Sequence, residues 1–405
     1  MKKILYDLTS AQSEKNIKYN GGGEYALRIF EFLLARNDVN LEITVSNFKE
    51  TQIDLIELCN SNSIKIHSYS SNRELSEIIN TGRFDTVVLP VCYSKYAELN
   101  INKNIRMITV IHDLSVIYAD TVYNNERLIG QGNITIIKEL LKKYIFHSSM
   151  LKKHINEHKK LCKLSNNQTI IFDSDYTRYA FEFYTKQFTE GIILYPAIND
   201  TIISDDSNIN ADFEKLGIYF DKFFLLVSGS RWHKNNYFAI KVLDNLFENN
   251  LLSRSYKVLV TGVNDEHRKF YENHVRCVEN FVFIDYVKYN FLQELYKHTF
   301  ALIYPSLFEG FGYPPIDAMK YSRPVIASNR TSIPEICQNA CLFFDPVSAE
   351  SLSIAILQLV NKGVENNCIE NQYEIVCEKQ KKDLNRMIEL IVDENNLLEK
   401  RDKDD

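Results

Sequence analysis

Two carboxylates with seven residues between them, Glu309 and Asp317, bracket a loop of unusual composition: Phe308-Glu309-Gly310-Phe311-Gly312-Tyr313-Pro314-Pro315-Ile316-Asp317-Ala318-Met319. A carboxylate can accept hydrogen bonds from two sugar hydroxyls at once. Two of them on either side of a glycine loop can hold two rings of one ligand. Gly310 and Gly312 permit a backbone that exposes its N–H groups, and Pro314 and Pro315 suit the start of a helix. A tight strand-to-helix turn capped by Asp explains the glycines and Pro315, but not Glu309 together with a second glycine. A further constellation is Ser228-Gly229-Ser230-Arg231-Trp232-His233-Lys234-Asn235-Asn236. Arg231 and Lys234 follow a glycine turn and lead into a helix, where they can neutralise a departing diphosphate. The plainer alternative is a solvated basic helix start. Cations are unfavourable at a helix N-terminus unless an anion joins them, which favours the functional reading.

Other signals are weaker. Gly21-Gly22-Gly23-Glu24 precedes a helical run from Tyr25 and lets a backbone come close to a ligand, but lacks the G-x-G-x-x-G spacing. A flexible loop would look the same. His112-Asp113-Leu114 closes an apolar run. Asp113 could orient the imidazole or cap the next turn. The segment Lys138–Lys163 holds Lys138, Lys142, Lys143, Lys152, Lys153, Lys159, Lys160 and Lys163 against Glu139 and Glu157. Its simplest reading is a solvated face; its other reading is a surface for anionic lipid or a phosphorylated acceptor. His154 and His158 share a helical spacing without a further ligand nearby, and Asp173-Ser174-Asp175 is a weak imitation of a metal-binding Asp-x-Asp. Eight scattered cysteines, of which only Cys337 and Cys341 are close, complete no zinc site and are expected as reduced thiols.

Short apolar, β-branched runs must position these groups. In the first half they are Lys3–Leu8, Leu41–Val45, Ile64–Tyr69, Thr86–Val91, Met107–Ile111, Thr169–Phe172 and Ile192–Tyr195. In the second half they are Phe223–Val227, Lys257–Thr261, Phe281–Ile284, Ala301–Tyr304, Pro324–Ala327 and Leu342–Phe344. Amphipathic stretches such as Glu24–Ala35 and Ile134–Tyr144 alternate with them. That alternation predicts parallel sheets covered on both faces. A polar pause from Pro196 to Gly217 reads as a linker between two doubly wound units. The final stretch, Tyr373–Lys400, predicts a long helix with Ile375, Leu384, Ile388 and Ile391 on one face, followed by a frayed tail, Arg401–Asp405.

Phe308–Met319, with Arg323-Pro324-Val325-Ile326-Ala327, Pro334-Glu335 and Phe344-Asp345-Pro346, resembles the family 4 retaining glycosyltransferases of the GT-B fold. The resemblance covers most of the C-terminal half and echoes weakly in the first. It implies an α/β chain of two Rossmann-like units facing across a cleft: an acceptor domain at 1–200, a sugar-nucleotide domain at 215–370, and a C-terminal helix at 371–405 crossing back to the first. It further implies that Glu309 contacts the donor sugar and Asp317 the ribose. The N–H groups of Phe311, Gly312 and Tyr313 would face sugar and phosphates. Arg231 and Lys234 resemble the diphosphate pair, and Gly21, Gly22 and Gly23 the N-domain glycine loop. Val287, in Asp285-Tyr286-Val287, lies where the family holds the nucleobase through its main chain. His112 would face the donor sugar. The family's second acid is usually Glu; Asp317 is one methylene shorter, which bears on donor affinity more than on reaction class.

The implied activity is transfer of a hexose-type unit from a nucleoside diphosphate sugar to the hydroxyl of a growing glycan or lipid-linked acceptor, with retention and without a metal or other cofactor. The loop Asp113–Gly132 would read the acceptor. Rival readings are another GT-B activity (an inverting transferase or an epimerase) and a non-catalytic sugar-nucleotide or glycan-binding module. The net charge of −6 argues against a general nucleic-acid binder. No apolar stretch reaches the ~20 residues that span a bilayer, so a cytoplasmic protein, at most peripheral to the inner face of a membrane, is expected.

Overall fold

The computed structural model describes residues 1–12, 21–51, 53–121, 125–129, 133–141, 147–197 and 209–393. The chain forms two compact units. One comprises Met1–Ile117, Ser148–Asn199 and Cys377–Asp405; the other comprises Tyr118–His147 and Asp200–Val376. The expected N-terminal domain is thus interrupted, because Tyr118–His147 joins the second unit. Lys142, Lys143, half of the linker (198–208) and the charged tail lie outside the described residues.

The first unit is built on β1 (Lys2–Asp7), β2 (Val39–Ser46), β3 (Lys65–Tyr69), β4 (Thr86–Leu89), β5 (Arg106–Ile111), β6 (Asn167–Phe172) and β7 (Ile192–Ile193). They form a parallel sheet ordered β3-β2-β1-β4-β5-β6-β7. The second unit holds β8 (Phe223–Leu226), β9 (Lys257–Val260), β10 (Phe281–Phe283), β11 (Ala301–Tyr304), β12 (Val325–Ser328) and β13 (Cys341–Phe344). Their order is β10-β9-β8-β11-β12-β13, again parallel. Each expected strand is present, with its ends moved by a few residues. The run Ile192–Tyr195 shortens to a two-residue strand, although the Leu194 N–H still donates to Phe172 O at 2.9 Å.

Both sheets are apolar on both faces. Phe223, Phe224, Leu225 and Leu226 are all fully buried, each contributing roughly 1.5–3 kcal/mol of transfer free energy. Strand order reverses between β1 and β4 in one sheet and between β8 and β11 in the other. The crevice beyond the carboxyl ends of strands at such a switch point is where open α/β sheets bind ligands.

The linker expectation needs correction at its end, where a helix Ile209–Lys215 buries Phe213 in the second unit's core. The terminal helix starts earlier than expected and runs Asn366–Val392. Its first part belongs to the second unit, where Gln372 donates to Ile336 O at 2.7 Å. Its last turns return to the first unit, where Met387, Ile388 and Ile391 pack among Ile4, Tyr6 and Ile108. Ile375 is 56% exposed and does not share their face. The buried Arg106 guanidinium ends the helix, donating to Leu390 O at 2.6 Å and Ile391 O at 3.4 Å. A cation suits these orphan carbonyls at the negative end of the helix dipole.

Candidate functional site

In the second unit both sequence motifs sit at the β8/β11 switch point. After β8 the chain takes a left-handed residue at Ser228, runs through a tight turn at Trp232–Lys234, and takes another left-handed residue at Asn235 before the helix Asn236–Glu248. The turn carries Lys234 inward. Its ammonium donates to Glu309 Oε1 at 2.6 Å and to the Tyr304 hydroxyl, at the end of β11, at 2.9 Å. The two charged side chains are only 10% and 13% exposed. Backbone bonds hold the loops together: the Leu307 N–H and Ser306 hydroxyl both donate to His233 O, at 2.8 and 3.2 Å. Ser306 also donates to Glu309 Oε1.

Burial raises the Glu309 carboxyl, but the Lys234 ammonium and the hydrogen bonds from Lys234 and Ser306 outweigh it and leave the group below its usual range. Burial and then Lys234 push His233 down to about 3, so its ring is neutral; it stacks on Phe308 at 5.2 Å. Arg231 is half-buried and has no carboxylate partner among the described residues.

The glycine loop follows directly. Glu309 N–H donates to Thr331 Oγ1 at 3.0 Å, and the Ser332 hydroxyl donates to Glu309 O and Phe311 O. Gly312 has φ +100°, a conformation that disfavours side chains, and precedes the helix Tyr313–Met319, with Pro314 and Pro315 in its first turn. Phe311 is buried, Tyr313 and Asp317 half-buried. Val287, half-buried, follows β10. Its neighbour Asp285 accepts from the Gly262 N–H at 3.3 Å, and Gly262 O accepts from the Ser230 N–H at 2.9 Å. The stretch Asp285-Tyr286-Val287 is thereby tied to the Arg231 loop.

The segment expected to read the acceptor has a different placement in its described part. Glu126 is buried and its Oε1 accepts from the Tyr237 N–H at 2.6 Å, in the first turn of Asn236–Glu248. Arg127 lies 4.7 Å over the Trp232 ring, and the Tyr118 ring 5.3 Å from Phe308. Burial pushes Glu126 up to about 8, against the lowering effect of backbone hydrogen bonds. A carboxyl of the chain itself thus meets this helix start, and burial keeps it protonated below about 8. No motif around Glu126 signals this.

In the first unit the structure assembles a second group. His112, just past β5, directs Nε2 at Pro90 O (2.8 Å) and Nδ1 at Asp173 Oδ2 (3.7 Å), with Asp173 just past β6. Asp113 does not orient this ring; its Oδ1 caps the Ser115 N–H at 2.8 Å. Burial lowers the His112 pKa, but its hydrogen bond and charge interaction with Asp173 raise it further, above the ordinary value. Burial carries Asp173 up to about 6. The Tyr25 ring meets His112 edge-on at 4.5 Å, so the start of the first helix lies beside the pair. Gly21, Gly22 and Gly23 form the first turn of that helix, Gly21–Leu34, rather than a loop before it. The reason is a close approach: a Cβ on Gly23 would lie 2.5 Å from Ser10 O.

Asp7, at the end of β1, is buried and accepts from Thr9, Thr44 and Tyr96 hydroxyls at 2.7, 2.9 and 2.9 Å. In the sequence it only interrupts an apolar run. Among the described residues no group of three His, Cys, Asp or Glu is placed to hold a metal, and no helix is long and apolar enough to cross a membrane. All eight cysteines are free.

Comparison with known proteins places these features in a family context. Residues 208–375 match the family described as glycosyl transferases group 1. The O-antigen chain mannosyltransferase RfbU of Salmonella typhimurium is 27% identical over 198 residues, covering 45% of this chain and 54% of that protein. The O-antigen chain mannosyltransferase B of Escherichia coli is 41% identical over 76 residues, 19% of this chain and 20% of that one. The chain thus spans about half of the first relative and a fifth of the second. Among solved structures, Anabaena HepE in complex with UDP and glucose superposes with a TM-score of 0.70 at 13% identity, covering 96% of this chain and 99% of that chain. At that identity the likeness speaks for the fold. The chain thus joins a segment similar to the glycosyl transferases group 1 family to two Rossmann-like units with the GT-B fold.

Proposed function

We propose that this chain transfers a hexosyl unit, mannose by the likeness to the O-antigen enzymes, from a nucleoside diphosphate sugar to an acceptor hydroxyl of a growing glycan, with retention of configuration. One observation carries the reading: the buried Lys234–Glu309 pair at the switch point of the donor sheet. Lys234 and Arg231 supply positive charge for the departing diphosphate. Glu309 keeps an oxygen for donor-sugar hydroxyls while its other oxygen is tied to Lys234 and Ser306. Asp317 takes the ribose, Val287 and its neighbours the base, and the N–H groups of Phe311, Gly312 and Tyr313 the sugar and phosphates. In the first unit His112, its ring nitrogens turned to Pro90 O and Asp173, faces the transferring sugar and acts through its charge, and the helix start at Gly21–Gly23 offers N–H groups to the diphosphate. The bond from the anomeric carbon to the diphosphate breaks and one to the acceptor oxygen forms on the same face; the acceptor's proton goes to the diphosphate. Transfer needs no metal and takes place on the cytoplasmic side, where lipid-linked acceptors are within reach.

Release of nucleoside diphosphate from a panel of donor sugars, with and without EDTA, tests this. Turnover that survives EDTA supports it. Strict metal dependence removes the metal-free step, and binding without turnover on every acceptor favours a sugar-nucleotide-binding module.

A further inference from the structure

A cavity of about 520 Å³ opens in the first unit. Its walls include Lys103, Lys159, Lys160 and Lys163, with Leu99 and Leu164 supplying apolar surface, and no acidic residue lines it. The cavity lies at the amino ends of β5 and β6: Lys103 comes just before Arg106, and Lys163 and Leu164 just before Asn167. His112 and Asp173 lie at the carboxyl ends of the same two strands. Six-residue strands separate the two places by roughly 20 Å. This is not the transfer site.

A cluster of lysines at a helix end has an ordinary explanation in the helix dipole, because the helix His147–Leu161 terminates here. Lys103 is engaged with the main chain just past that end, donating to Lys163 O at 2.9 Å and Leu164 O at 3.2 Å. Lys159, Lys160 and Lys163 line the same concavity. Among the described residues none of the three has a carboxylate partner. The nearby Glu157 is engaged with Lys153, at 3.7 Å. Like charges gathered around a cavity raise one another's energy until an anion enters. The volume is that of a small-molecule site, and lysine ammoniums are suited to phosphate as point charges.

We propose that this cavity binds a phosphate-bearing group, with Lys159, Lys160 and Lys163 on the phosphate and Leu99 and Leu164 against its organic part. The group is either a soluble diphosphate or a phospholipid headgroup presented on a membrane. The site uses no residue of the donor loops, so it stands or falls independently of the transfer reaction.

Lysine-labelling footprinting with residue-resolved mass spectrometry tests the proposal on the full chain. Three additions are compared: inorganic pyrophosphate, phosphatidylglycerol vesicles and phosphatidylcholine vesicles. Lys152 and Lys153, on the same helix but not lining the cavity, serve as internal references. At least threefold slower labelling of Lys159, Lys160 and Lys163, with the references unchanged, is expected. If pyrophosphate alone produces it, a soluble diphosphate suffices; if only phosphatidylglycerol does, a headgroup on a surface is required. Equal slowing of all five lysines, equal slowing by phosphatidylcholine, or none with any addition overturns the proposal. In Lys160→Glu/Lys163→Glu the protection of Lys159 should disappear, while transfer to a soluble acceptor stays within twofold of wild type.

Discussion

Each unit places one buried pair of ionisable groups beyond its strand ends, and the pairs differ. Lys234 and Glu309 touch at 2.6 Å, with hydroxyls of Tyr304 and Ser306 filling out the contact. Their charges hold the carboxyl below its usual range despite burial. His112 and Asp173 are 3.7 Å apart, and burial carries the carboxyl up to about 6. The second unit thus presents fixed charge, suited to a ligand whose own charge does not change. The other unit presents a pair that exchanges a proton near neutrality.

Breaking the fixed pair should have the largest effect. Lys234→Ala and Glu309→Ala should each lower transfer by about 10²-fold or more. Each also leaves the opposite charge buried alone, at a cost of about 3–5 kcal/mol. Lys234→Met/Glu309→Gln removes both charges. It should regain much of the lost stability in denaturant titrations and none of the activity. An active double variant would make the pair purely structural.

Asp173→Asn probes the other pair and should cost about tenfold in kcat/KM, less than the loss at Lys234, because Asp173 acts by positioning His112. The pH profile separates positioning from packing. Both members of the pair have folded pKa values above their ordinary ones, so between pH 4 and 7 the folded state binds more protons than the unfolded chain. Their contribution to stability is fullest in acid and falls as pH rises, first through about 6 for Asp173 and then as His112 loses its proton. Asp173→Asn should flatten that slope and move the His112-dependent limb of kcat/KM to lower pH. An unchanged pH profile would reduce Asp173 to a packing role.

How legible each site is from the sequence follows from how it is assembled. Glu309, Gly312 and Asp317 lie on one loop, and Arg231 and Lys234 on one turn, so local spacing carries the chemistry. The strands were equally plain, because each is a short apolar run in a sheet buried on both sides. Asp173 comes from a strand end 61 positions beyond His112, and only the parallel pairing of β5 with β6 brings them together. Within Asp173-Ser174-Asp175 it looked like an imitation of a metal motif. Glu126 had no signal, since its role depends on Tyr118–His147 joining the second unit. The exposure of Ile375 was missed for a related reason: the terminal helix changes the unit it packs on, and therefore its buried face.

Glu126 offers a smaller test of the same contrast, now between two carboxylates in one unit. Glu309 is held low by a cation, whereas burial takes Glu126 up to about 8. A raised folded pKa means stability that is present in acid, below the ordinary ~4.3, and lost as pH rises through 8. Glu126→Gln keeps an oxygen for the Tyr237 N–H and cannot ionise. Its thermal midpoint should match wild type near pH 5 and exceed it by a few degrees at pH 8.5. A variant less stable than wild type at pH 8.5 would show that the helix dipole, which favours the anion, outweighs burial.

The smallest effect belongs to Asp317. It is half-buried in Tyr313–Met319, between the buried Ile316 and Ala318. Asp317→Glu adds one methylene and restores the acid usual in the resembled family. If the carboxylate holds the ribose hydroxyls, the longer side chain changes the strength of a hydrogen bond made equally in the ground and transition states. KM for the donor should then fall by a few-fold with kcat unchanged, since uniform binding lowers KM alone. Asp317→Ala should raise KM by about tenfold, matching the loss of ~1.4 kcal/mol, with kcat again held. A change in kcat as large as that seen for Glu309 would place Asp317 on the reacting sugar instead of the ribose, and the division of labour between the two carboxylates would have to be reversed.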